Sequence, residues 1–142
     1  VKFFQAQTTI QASPETIWSI LTDAASFPSW DRNIIKLEGN IAPGAKLKAF
    51  PKFTPGRSFA VRVSTFEPGK KMVWSGGMPL GLFTGERTFT LTPAENGATR
   101  FTLREEFTGL LLPLIGKSLP NLTPVFEEFA ADLKSRAESR RS

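Results

Sequence analysis

The stretch Leu82-Phe83-Thr84-Gly85-Glu86-Arg87-Thr88-Phe89-Thr90-Leu91-Thr92, followed by Pro93-Ala94-Glu95-Asn96-Gly97-Ala98 and Thr99-Arg100-Phe101-Thr102-Leu103-Arg104-Glu105-Glu106-Phe107-Thr108, decides the fold. Side chains alternate faces along a strand. Phe83, Gly85, Arg87, Phe89 and Leu91 therefore share one face of a first strand, Leu82–Thr92. Phe101, Leu103, Glu105 and Phe107 share one face of a second, Thr99–Thr108. Asn96-Gly97 marks the tip of an antiparallel hairpin between them. That register puts Leu91 opposite Phe101, Phe89 opposite Leu103 and Arg87 opposite Glu105. Each apolar row carries a single charge, and the two charges meet as a pair facing an aromatic interior. A charge turned toward a core is paired or functional, so the site is sought here.

Working outward, Lys71–Ser75 and Ser58–Phe66 flank Glu67-Pro68-Gly69-Lys70, a Pro-Gly turn. Pairing across that turn places Val63 opposite Trp74, with Trp74 and Met72 facing inward. Ala45–Phe50 and Asn33–Glu38 flank Ala42-Pro43-Gly44. The chain opens with an alternating strand, Val1–Gln11. Ser13-Pro14-Glu15 then starts a helix to about Thr22, with Ser13 as cap and Ile17, Trp18 and Leu21 facing the core. A second short helical turn lies in Asp23–Trp30, ended by Phe27-Pro28. In the C-terminal part Leu119, Leu122, Phe126, Phe129 and Leu133 form one helical stripe. This helix starts either at Thr123-Pro124, capped by Thr123, or near Pro113 with kinks at Pro120 and Pro124. The order is one strand, two short helices, six strands and one long helix, read as a single domain over residues 1–142. A sheet curved around the last helix leaves an elongated cavity between them.

The composition narrows the chemistry. The chain has no Cys, no His and no Tyr. Disulfides, thiolate nucleophiles, Ser–His pairs and the commonest metal ligands are excluded. No metal site and no cofactor are expected, and any proton transfer falls to Asp, Glu, Lys or water. The net charge is +5 and the isoelectric point about 9.9. The densest basic run, Lys134, Arg136, Arg140 and Arg141, is interleaved with Asp132 and Glu138 and holds no aromatic residue. Without stacking platforms it reads as a solvated helix end, and no nucleic-acid partner is expected. The longest strongly apolar stretch, Leu110–Ile115, is too short to span a bilayer. Val1–Ile10 alternates like a strand, not like a leader. The expectation is a cytoplasmic protein without integral membrane association, a monomer or weak dimer.

The segment Ala12-Ser13-Pro14-Glu15-Thr16-Ile17-Trp18-Ser19-Ile20-Leu21-Thr22-Asp23, with Phe27-Pro28-Ser29-Trp30-Asp31, resembles the opening of the START-like (SRPBCC) superfamily. The likeness continues through Phe83–Phe89, Gly97–Phe101 and Glu105–Leu111, and closes at Phe126-Glu127 and Leu133-Lys134. It is strongest to bacterial single-domain polyketide cyclase/dehydrase-like proteins. The resemblance implies an α+β helix-grip fold: a curved antiparallel sheet of about seven strands around a long C-terminal helix, with two short helices after the first strand. It also implies a deep apolar pocket under that helix. Superfamily members include lipid-transfer domains, aromatic cyclases and co-chaperone domains, so the fold does not carry the function. Aromatic cyclases of this kind commonly use Arg, His and Tyr in the pocket. This chain has neither His nor Tyr, which leaves Arg87 and Glu105 as the catalytic candidates.

Arg87 has two readings. Its guanidinium holds a ligand carboxylate or enolate, aided by a cation–π contact with Trp74, or it forms a structural ion pair with Glu105. Glu105 serves either as a general base or as that structural partner, and an adjacent guanidinium favours the partner role. The expected ligand-contacting set is Trp30, Val61, Val63, Trp74, Met78, Phe83, Arg87, Phe89, Phe101, Leu103, Glu105, Phe107, Leu122, Phe126 and Phe129. Thirteen Phe and three Trp make an aromatic-lined cavity plausible, although such residues more often fill cores. Pro51–Gly56, Gly76–Gly81 and Gly109–Ile115 are expected around its mouth. Three functions remain open: a carrier of a hydrophobic small molecule such as a lipid, polyketide or aromatic compound; a cyclase- or dehydratase-like enzyme; and a co-chaperone-like interaction module.

Overall fold

The hairpin forms the second and third strands of the chain's one described sheet. A computed structural model describes residues 2–52, 55–78, 80–115 and 121–140. The strands are β1 (Lys2–Ile10), β2 (Ile34–Glu38), β3 (Lys46–Pro51), β4 (Phe59–Glu67), β5 (Lys71–Met78), β6 (Phe83–Pro93) and β7 (Thr99–Thr108). The helices are α1 (Pro14–Leu21), α2 (Leu112–Ile115) and α3 (Thr123–Arg140). A 3₁₀ turn, Ala24–Ser29, follows α1. All seven strands pair antiparallel in the order β1-β7-β6-β5-β4-β3-β2. The sheet curls around α3, which makes this the α+β helix-grip fold that the sequence implies.

The registers agree with those drawn from the sequence. Leu91 pairs with Phe101, Phe89 with Leu103, Arg87 with Glu105, and Val63 with Trp74. Asn96 and Gly97 at the tip both take left-handed backbone, at φ 57° and 77°, a region open to Asn and Gly and closed to most residues.

Local chemistry explains the helices. The Ser13 hydroxyl accepts the Thr16 N–H at 3.2 Å, and Pro14 opens α1 where no donor is needed. Ile17, Ile20 and Leu21 are buried. Trp18, expected in the core, lies at its margin, edge-on to Phe66 with ring centres 5.3 Å apart. The 3₁₀ turn does not end at Phe27-Pro28 but runs through Pro28 to Ser29. The Phe27 carbonyl accepts N–H groups of Trp30 and Asp31 at 3.1 and 2.8 Å, carrying the turn past the proline. The last helix begins at Thr123, which is its first residue and not its cap; the Thr123 N–H donates to Asn121 Oδ1 at 3.1 Å. A separate short α2 takes up Pro113, so both starting points read from the sequence are helical but belong to different helices.

One core joins the sheet to α3. Phe126, Phe129, Ala130, Leu133 and Ala137 of α3 are buried against it; Leu119 lies outside the described residues. Phe129 sits at the centre, with ring centres of Trp30, Phe89 and Phe101 at 5.2, 6.0 and 6.1 Å. No helix among the described residues is long and apolar enough to cross a membrane.

Candidate functional site: a cavity with one polar end

The inner face of the sheet is not covered evenly. At the turn end of the β6–β7 hairpin, Phe89, Leu91, Phe101 and Leu103 are all nearly or fully inaccessible. Toward the other end the sheet carries Gly76 on β5 directly opposite Gly85 on β6. Two facing glycines leave bare backbone where a pair of side chains would stand. A cavity of about 570 Å³ opens over that gap, within the ordinary size range of small-molecule sites.

Trp74, Phe83, Leu103 and Phe107 wall the cavity from the central strands. Leu122, Val125, Phe126 and Phe129 close it from α3 and the residue before it. Ile34, Leu37, Ala49 and Val61 form the far wall from β2, β3 and β4. Phe27, Asp31 and Asn33 enter from the 3₁₀ turn and the segment after it. The lining is thus largely apolar, and its charged groups among the described residues, Asp31, Arg87 and Glu105, gather at one end.

That end is organised by a row across three strands. Trp74 pairs with Arg87, and Arg87 with Glu105. The Arg87 Nε–H and Nη2–H groups both donate to Glu105 Oε1, at 3.1 and 2.9 Å. Both bonds fall on one oxygen, so Glu105 Oε2 accepts none from the described residues. A Cβ at Gly85 would lie 3.0 Å from that oxygen and 3.2 Å from the Phe107 ring; the glycine gives the carboxylate its room. The pair is not fully buried: the Arg87 side chain is 33% exposed and that of Glu105 15%. The cation–π partner of Arg87 is not the expected Trp74 but Phe126, whose ring centre lies 5.1 Å from Cζ. The helix lays its aromatic ring over the guanidinium, while Trp74 turns to Phe89 and Phe27 at 4.8 and 6.2 Å.

Asp31 is the residue that sequence reasoning missed. It is 6% exposed and lines the same cavity. Its Oδ1 accepts the Asn33 N–H at 3.0 Å. Burial raises its pKa above the ordinary aspartate value; the Asn33 hydrogen bond and the positive charge of Arg87 pull the other way and only partly offset that. The available signal was an isolated acid directly after the apolar turn Phe27–Trp30. The indole Nε1–H of Trp74 is also buried without a hydrogen-bond partner, on a residue that lines the cavity.

Of the residues expected to contact a ligand, Val61, Trp74, Phe83, Arg87, Leu103, Glu105, Phe107, Leu122, Phe126 and Phe129 lie on the cavity wall. Trp30, Val63, Phe89 and Phe101 do not. They are packed into the solid core, because Phe129 seals the gap between sheet and helix over them. The Met78 side chain lies outside the described residues, as do Phe53 and Thr54 of one expected mouth loop and Pro79 of the other. Gly76 and Gly77 belong to β5, not to a loop. Gly109–Leu114 supplies none of the cavity wall among the described residues, and the Ile115 side chain lies outside them. The segment is tied instead to the β5–β6 connection, with Leu110 and Leu111 N–H donating to Gly81 and Leu82 carbonyls at 3.1 and 2.8 Å.

Among solved structures, a START superfamily protein from Mycobacterium smegmatis superposes with a TM-score of 0.75 at 18% identity, covering 98% of this chain and 99% of that one. A protein from Mesorhizobium loti gives 0.78 at 19% identity, over 99% and 100%. The Zhui aromatase/cyclase from a Streptomyces species gives 0.76 at 12% identity, over 98% and 94%. At these identities the likeness is one of fold. No curated protein sequence matches the chain. The sequence profile of the family described as polyketide cyclase / dehydrase and lipid transport matches residues 4–138. Nearly the whole chain is covered by that match, and the protein belongs to this family of START-like, polyketide cyclase-like proteins.

Proposed function

We propose that this protein binds a hydrophobic small molecule, a lipid, polyketide or aromatic compound, in the cavity between sheet and α3. The observation that carries this reading is the cavity itself: about 570 Å³ and largely apolar, with a charged cluster at one end. Apolar walls supply affinity without direction, and a small polar cluster orients the guest. Arg87, Glu105 and Asp31 are the charged groups of that cluster.

The test is native mass spectrometry of protein purified without detergent, joined to titration of tryptophan fluorescence with aromatic compounds. The expected result is a copurified species on the order of a few hundred daltons, or saturable quenching that Trp74→Phe diminishes. Absence of both overturns the reading.

A second reading, a cyclase- or dehydratase-like enzyme, is favoured by one observation. Asp31 is a buried carboxyl with a raised pKa lining the same cavity as Arg87. Arg87 would stabilise an enolate while a carboxyl moves the proton. Here Arg87→Met abolishes turnover, and Asp31→Asn suppresses it with binding retained.

A further inference from the structure

We propose that the polar end of the cavity selects an uncharged ligand that donates a hydrogen bond, an alcohol or a phenol, over a carboxylate. This rests on the ligand-binding reading above and names the ligand class.

The first argument is charge. Among the described residues, the charged members of the lining are Asp31, Arg87 and Glu105. One guanidinium thus faces two carboxyl groups, and it already gives two hydrogen bonds to one of them. An anionic guest would meet an Arg87 whose charge Glu105 already offsets. Asp31 answers mainly to burial. The attraction of Arg87 does not outweigh the cost of burying its charge, and its pKa rises. The other charges acting on Asp31 are Asp132, which adds to the rise, and Lys52, which opposes it. Lys52 is exposed, where solvent screens it.

The second argument is hydrogen bonding. Glu105 Oε2 borders the bare patch at Gly85 and accepts nothing from the described residues. A carboxylate oxygen only accepts, so a complementary guest must donate. A hydroxyl does so and a carboxylate does not. Phe83 and Phe107 on the cavity wall supply aromatic surface suited to a flat hydroxylated ring.

The test compares three probes of one shape, naphthol, naphthoate and naphthalene, by tryptophan quenching and calorimetry at neutral pH. Naphthol is expected to bind about tenfold or more tightly than naphthoate, and more tightly than naphthalene. In Glu105→Gln, folded by circular dichroism, the lining loses one negative charge and naphthoate should gain about tenfold. Equal or stronger binding of naphthoate by the parent protein overturns the charge argument. Equal binding of naphthol and naphthalene overturns the donor argument. Failure of all three to bind, with no copurified species in native mass spectrometry, overturns the ligand-binding reading itself, a result distinct from either.

Discussion

The two ends of the β6–β7 hairpin differ in what stands on an otherwise identical scaffold. Both ends alternate faces, both are flanked by further strands, and both lie under α3. Near the turn, the inward row is Phe89, Leu91, Phe101 and Leu103, with exposures of 0 to 4%. Away from the turn, it is Phe83, Gly85, Arg87, Glu105 and Phe107, and a cavity opens. One glycine on β6 and one ion pair between the two rows turn a core into a container. The closed end supplies the stability that lets the open end stay empty of side chains.

The sharpest way to break the contrast is to hollow the closed end. Phe101→Ala removes a fully buried ring and should cost about 3–5 kcal/mol in chemical denaturation. A loss under ~1 kcal/mol would show that this end is no better packed than the other. Next comes the ion pair. Glu105→Ala strands an Arg87 that is one-third exposed, so water replaces much of the lost contact. The expected cost is about 1–2 kcal/mol, below that of a fully buried pair. A third change sharpens the comparison by filling the gap. In Gly85→Ala the new methyl presses on Glu105 Oε2 and Phe107. Stability should move by no more than ~1 kcal/mol, while affinity for an aromatic guest falls about tenfold.

The smallest effect concerns Asp31 and its sign depends on pH. Its folded-state pKa lies above the unfolded one, so the native state binds this proton more tightly. Stability from that group is present at acid pH and is lost as pH rises through the raised value. Asp31→Asn keeps the oxygen that accepts the Asn33 N–H and removes the charge. Its melting temperature should exceed that of the parent at neutral pH, and the gap should close in acid, below the ordinary aspartate value. A variant that melts lower at neutral pH would show that the Asp31 charge is held favourably.

Much of this was legible in the residues alone. Strand alternation and the Asn96-Gly97 tip set the hairpin register, and the register set the meeting of Arg87 with Glu105. Ser13-Pro14 placed the start of α1, and the Phe126, Phe129, Leu133 stripe placed the inward face of α3. These features rest on contacts between near neighbours in sequence or on a period of two or 3.6 residues, which a chain carries in its order. Tertiary structure decided where the cavity stops. Phe89 and Phe101 occupy the same inward faces as Arg87 and Glu105, and only the seat of Phe129 between sheet and helix makes them core. It also decided that Phe126, not Trp74, covers the guanidinium. Asp31 followed the same logic: its burial comes from α3 and the strands closing over the end of the 3₁₀ turn. Such placements depend on how distant elements meet, and no periodicity within a segment encodes that.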